Sequence, residues 1–134
     1  MKFIICVDKN NGTMLFKKRQ SADRELRAWL AQKIGDNKLW VSSYTAKQFN
    51  NECAYIIDDD YLSKAEENDY CFVEDKGYDI NMANEFIVCN WNRKYPADLY
   101  FKVDLKALGF KRVEKAEIKG SSHDKIIIEV YQKG

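Results

Sequence analysis

Residues Phe3-Ile4-Ile5-Cys6-Val7 form an unbroken apolar run that stops at Asp8 and a turn, Lys9-Asn10-Asn11-Gly12. A strand that faces water on one side alternates apolar and polar residues, so a strand apolar at every position must be covered on both faces. The run is far shorter than the roughly 20 residues of a membrane-spanning helix. With Asp8 directly behind it, the run is also too short for a secretory signal, and the resulting expectation is a cytoplasmic protein. Such a strand belongs in the middle of a sheet, and the rest of the chain reads as elements laid beside it.

A basic segment, Phe16-Lys17-Lys18-Arg19-Gln20, leads into a helix opened by Ser21 and Asp23. Ser21 suits the N-cap position, and Asp23 and Glu25 favour the positive end of the helix. Leu26, Trp29, Leu30 and Ile34 recur at spacings of three and four to give one apolar stripe, and Gly35 ends it. Leu39-Trp40-Val41 then starts a second strand, and a strand-helix-strand unit favours parallel pairing. Thr45–Phe49 reads as a short helix, and Ala54–Ile57 as a third strand stopped by Asp58-Asp59-Asp60. Tyr70–Val73, Glu85–Cys89 and Leu99–Val103 follow as strands. Phe110–Ile118 and Lys125–Tyr131 flank Lys119-Gly120-Ser121-Ser122 as a closing antiparallel hairpin. The expectation is one α/β domain over residues 1–134. It carries a mixed, mostly parallel eight-stranded sheet, few helices and a C-terminal antiparallel hairpin.

Several functions lack the residues they need. The net charge of +1 provides no general field for nucleic acid or an anionic membrane. Cys6, Cys53, Cys71 and Cys89 all sit in apolar stretches with no Cys-x-x-Cys pair, so four buried thiols are expected rather than two disulfides. His123 is the only histidine, which argues against a catalytic zinc site. Its place in a hairpin turn argues against a Ser-His or Cys-His nucleophile. No Gly-x-Gly-x-x-Gly or Walker-type loop is present.

The order of elements, together with Cys6-Val7-Asp8 and Gly12, the helix Asp23–Trp29, the strand and helix start LWVSSYT over Leu39–Thr45, and GSSHDKIIIEV over Gly120–Val130, resembles dihydrofolate reductase. The resemblance covers almost the whole chain. It implies a reductase fold, a cofactor phosphate grip around Ser43 and Thr45, and a helix carboxylate, Asp23, that assists protonation of a pterin ring. The chain departs from the family where the cofactor would lie. Cys89-Asn90 replaces a Gly-Gly pair, so backbone cannot approach a dinucleotide as closely. Ser43 stands where a basic residue would grip phosphate. Asp58-Asp59-Asp60 follows the third strand, where a 2′-phosphate would be received, and carboxylates there repel it. No cofactor is therefore expected, with NADPH or NADH entering only if a divergent reductase activity survives.

Two readings stand at each candidate site. Asp23 is either a proton-assisting acid or a first-turn cap. Thr45 either donates to a phosphate or caps its own short helix. Asn90 and Trp91, with Ser43 and Thr45, are the candidate ligand contacts, and Trp91, Arg93, Lys94 and Tyr95 equally suit packing at a sheet edge. Lys17, Lys18 and Arg19 form a basic patch or a charged loop. The three aspartates lack the spacing of a calcium loop, and no metal site is expected. The functional expectation is a non-reductase protein that binds a small nucleotide-like ligand or a protein partner. The alternative is a nicotinamide-dependent reductase of a pterin-like substrate.

Overall fold

The computed structural model describes residues 1–134. Strand β1 (Lys2–Val7) lies in the middle of a seven-stranded sheet, as its doubly apolar sequence requires. Phe3, Ile5 and Val7 enter one core while Ile4 enters the other, on the opposite face. β1 pairs in parallel with β6 (Tyr70–Phe72) on one side and β7 (Glu85–Asn90) on the other. Beyond β6 come β4 (Leu39–Val41) and then β5 (Ile56–Ile57), both also parallel. On the other flank β10 (Ile126–Lys133) runs antiparallel between β7 and β9 (Phe110–Ile118). Only β10 opposes the common direction, so the sheet is mostly parallel with an antiparallel closing hairpin.

Helix α1 (Arg24–Ile34) buries Leu26, Leu30 and Ile34 on one face of the sheet, with Trp29 half-buried beside them. Its cap is Asp23 rather than Ser21, because the Asp23 carboxylate accepts from the N–H groups of Glu25 and Leu26. The other face holds no long helix. A 3₁₀ turn at Tyr61–Ser63, another at Ile80–Met82, and Phe101 and Leu105 cover it.

Several sequence expectations change. Leu99–Val103 does not extend the main sheet: only β8 (Leu99–Tyr100) is strand, and it joins β2 (Gly12–Leu15). The basic segment is no free loop either, since β3 (Lys18–Arg19) pairs with β2 to complete a separate three-stranded sheet. The main sheet therefore has seven strands, not eight. Thr45–Phe49 is displaced as a helix to α2 (Ser43–Ala46), because Ser42 accepts from the Thr45 N–H and fixes the start earlier. The four cysteines are unpaired as expected, but Cys6 and Cys53 are only half-buried. No helix is long and apolar enough to cross a membrane.

Candidate functional site

A cavity of about 1250 Å³ opens at the carboxyl ends of β1 and β6, between the main sheet and the three-stranded sheet. Parallel sheets place ligands beyond the carboxyl ends of their strands, where the connections diverge. Ile5, Met14, Val73, Tyr78, Trp91 and Phe101 give it apolar and aromatic walls. Lys17, Lys76, Lys102 and Asp98 bring charge to the lining. The β2–β3 turn projects beside it. Phe16 and Lys17 are its two central residues, with φ of 49° and 61°, and Phe16 is 77% exposed. That backbone suits Asn-Gly, and two bulky residues hold it against a conformational cost.

The residues at the α2 end are bound to one another. Ser42 caps α2 and donates its hydroxyl to Asp75 Oδ1 at 2.8 Å. Ser43 donates its N–H to Asp59 Oδ1 at 2.9 Å and its hydroxyl to Oδ2 at 2.8 Å. These two bonds hold the Asp59 carboxyl below its usual range. Thr45 is fully buried, and with the Ser42 proton given to Asp75 its Oγ1 donates to Ser42 Oγ at 3.1 Å. It neither caps the helix nor lines the cavity. Arg19 is separated from Lys17 and Lys18: its guanidinium grips both oxygens of Glu74 at 3.0 and 3.1 Å and stacks over the Tyr44 ring. Lys17 and Lys18 remain exposed.

At the α1 end the polar groups form a buried knot. Asp23 Oδ1 accepts from the N–H groups of Glu25, Leu26 and Ser121. Its Oδ2 lies 3.0 Å from Ser122 N, 3.2 Å from Ser122 Oγ and 2.8 Å from His123 Nδ1. Burial alone would raise this carboxyl's pKa. The bonds from His123, Ser122, Ser121 and Leu26 outweigh burial and hold it far below the ordinary carboxylate range. Gly120 is required there, since a Cβ would stand 2.4 Å from Asp23 Oδ2. The His123 ring stacks on Trp91 with centroids 4.6 Å apart, and its Nε2 faces Tyr95 Oη at 3.0 Å and Ser21 Oγ at 3.1 Å. Trp91 is thus both a buried packing residue and a cavity wall. Asn90, the last residue of β7, accepts from the Asn92 N–H at 2.8 Å and does not line the cavity.

A second aspartate organises the first turn of the chain. Asp8 is buried and accepts from the N–H groups of Asn10 and Gly12 and, across the chain, from Tyr95 N and Gln20 Nε2. Burial pushes its pKa up, and these four donors bring it below the ordinary value. Gly12 must be glycine, because a Cβ would come within 2.7 Å of Ala97 Cβ.

Sequence reasoning offered Asp23 and Trp91 as separate candidates and did not join Ser21, Tyr95 and His123 into a cluster. These residues lie 102 and 28 positions from their partner His123, so no local pattern joins them. The three aspartates of residues 58–60 form a turn without a metal cage, and no group of acidic, His or Cys side chains in the chain is arranged to hold an ion.

No protein-family model matches the sequence, and no curated protein matches it. A solved structure of dihydrofolate reductase from Enterococcus faecalis, complexed with NADP(H) and RAB-propyl, matches with a TM-score of 0.65. The match covers 99% of this chain and 95% of the reductase, at 13% sequence identity. The chain has a dihydrofolate-reductase-like fold. On that dihydrofolate-reductase-like scaffold, the cavity occupies the carboxyl ends of the central strands, and Tyr44 of α2 lines it.

Proposed function

We propose that this protein binds a small planar heterocycle of nucleoside type in the cavity and does not work as a nicotinamide-dependent reductase. The observation that carries the reading is Asp59, whose carboxylate already takes the Ser43 N–H and hydroxyl. A phosphate brought to Ser43 would have to displace an anion of the protein's own, beside Asp58 and Asp60. Arg19, whose guanidinium also bonds the carbonyl of Tyr44, the residue after Ser43, is committed to Glu74. Trp91 adds a buried indole directly after Cys89-Asn90, where the reductase pattern has paired glycines. These residues do not fit NADPH.

Other groups favour an uncharged aromatic ligand. The cavity walls offer the faces and edges of Trp91, Tyr78, Tyr44 and Phe101, which suit a flat ring. A reductase reading would need Asp23 open to substrate. Its two oxygens are instead filled by protein donors, and it does not line the cavity.

The test is a thermal-shift titration with NADPH, NADH, folate and a panel of nucleosides and nucleobases. A ligand tight relative to its dose must raise Tm. A nucleoside or nucleobase is expected to raise it and NADPH to leave it unchanged. NADPH oxidation coupled to dihydrofolate or another pterin would overturn the proposal. A flat response to the whole panel would overturn the ligand class and turn the search to a protein partner by pull-down.

A further inference from the structure

The aromatic walls hold a flat ligand without the Ser21–His123–Asp23 arrangement, yet the geometry of that arrangement is specific. We propose that Ser21 is a nucleophile, activated by His123 and opening on the cavity, able to attack the carbonyl carbon of a small carboxylic ester. His123 Nδ1 lies 2.8 Å from Asp23 Oδ2, and Nε2 lies 3.1 Å from Ser21 Oγ. A carboxylate on Nδ1 assigns that nitrogen the proton and leaves Nε2 with a lone pair, so Nε2 accepts from the serine. The order carboxylate, imidazole, hydroxyl is recognised by geometry and role rather than by sequence position.

Three further observations separate this from an ordinary buried histidine. First, the ring cannot turn away. It is stacked on Trp91 with an interplanar angle of 21°, and its side chain is 1% exposed. Second, Ser21 is half-buried and is among the residues that line the cavity, unlike Asp23 and His123. Third, a second hydroxyl, Tyr95 Oη, approaches the same Nε2 at 3.0 Å from a smaller pocket lined by Leu15 and Pro96. One lone pair accepts from one hydroxyl at a time. Once Nε2 has taken the Ser21 proton its lone pair is used, and the Nε2–H donates to Tyr95 Oη, which steadies the imidazolium. Asp23 is a positioning residue, fixing the imidazole through Nδ1.

The chemistry balances with water as the only co-reactant. Ser21 Oγ bonds to the ester carbonyl carbon while its proton passes to Nε2. The bond to the alcohol oxygen breaks, and the alcohol leaves with that proton. Water then attacks the Ser21 acyl ester, giving a proton to Nε2, and the carboxylic acid departs as Ser21 Oγ recovers its hydrogen. The apolar wall of Trp91, Ile5 and Met14 suits a short acyl group without charge.

The probe is p-nitrophenyl acetate, with a fluorophosphonate as a covalent trap read by intact mass and peptide mapping. The expected result is nitrophenolate release above that of Ser21→Ala and a single adduct on the peptide carrying Ser21. Loss of the general base in His123→Gln should slow release by about 100-fold or more. If circular dichroism shows His123→Gln unfolded, Ser21→Ala carries the comparison, because its half-buried hydroxyl can be removed with the fold intact. Equal release from wild type and Ser21→Ala, or an adduct mapping elsewhere, overturns the proposal. The readout is independent of the thermal-shift panel: adduct formation with a silent panel would fail the ligand class and leave Ser21 standing.

Discussion

Two aspartates, Asp23 and Asp59, each accept backbone N–H groups at the start of a helix, and they differ in nearly everything else. Asp23 caps α1 from inside the protein and also holds the Gly120–His123 turn, which is about a hundred residues away in the chain. Asp59 reaches α2 from a solvent-exposed turn only 16 residues on. The chemistry is the same, a carboxylate on orphan donors of a helix start. The surroundings decide its consequence. In low dielectric an unpaired partner is costly, so the Asp23 knot is a lock for the fold. In water the Asp59 contact is exchangeable, so in the proposed reading it serves as a plug against an external anion.

Removing the lock should have the largest effect. Asp23→Ala leaves buried donors from α1, Ser121, Ser122 and His123 unpaired, and should cost about 3–5 kcal/mol in urea denaturation. A loss below about 1 kcal/mol would show that water enters the knot freely and would erase the contrast with Asp59. Gly120→Ala attacks the same knot sterically and should cost about 1–3 kcal/mol, since a Cβ meets the Asp23 carboxylate.

The pH response sharpens the difference. Asp23 has a folded pKa far below its unfolded value of about 4. A group with a depressed folded pKa contributes stability that is present above the unfolded value and lost as pH falls through the folded one. Denaturation midpoints should therefore hold steady down to about pH 4 and fall below it, with a shallower fall in Asp23→Asn. An unchanged slope in that variant would assign the acid sensitivity to another carboxylate, Asp8 first.

The strained turn provides a smaller test. Replacing Phe16-Lys17 with Asn-Gly relieves two left-handed bulky residues and should stabilise the protein by about 1–2 kcal/mol. Ligand-induced thermal shifts should shrink at the same time, because Phe16 lines the cavity. The smallest effect on stability belongs to Asp59→Asn, which should leave the denaturation midpoint unmoved. Its signature is instead a weakening of the barrier to NADPH, seen as a thermal shift that wild type lacks. A midpoint loss as large as that of Asp23→Ala would mean that the 58–60 turn is structural rather than a plug.

Much of the fold was legible because it follows from local pattern. β1 is apolar on both faces, so its central place follows from burial alone. The α1 stripe and the long final hairpin carry their own periodicities. The short pieces were less legible. β3 and β8 have two strand residues each, and their pairing with β2 depends on contacts that no window of sequence contains. The helix cap passed from Ser21 to Asp23 for a similar reason: both residue types cap well, and the choice was made by the distant turn that Asp23 also holds.

The candidate site divides along the same line. From sequence come Cys89-Asn90 at the end of β7, the acidic run at 58–60 and the Asp23 helix start, each a statement about neighbours in the chain. Tertiary structure decided that Arg19 is tied to Glu74, that Asp59 is seated on Ser43, and that His123 stands between Asp23, Ser21 and Tyr95. Residue type fixes what a side chain can donate, accept or bury. Which partner it meets depends on how the sheet closes, and in this protein β10 entering between β7 and β9 brings the 120–123 turn back onto the start of α1.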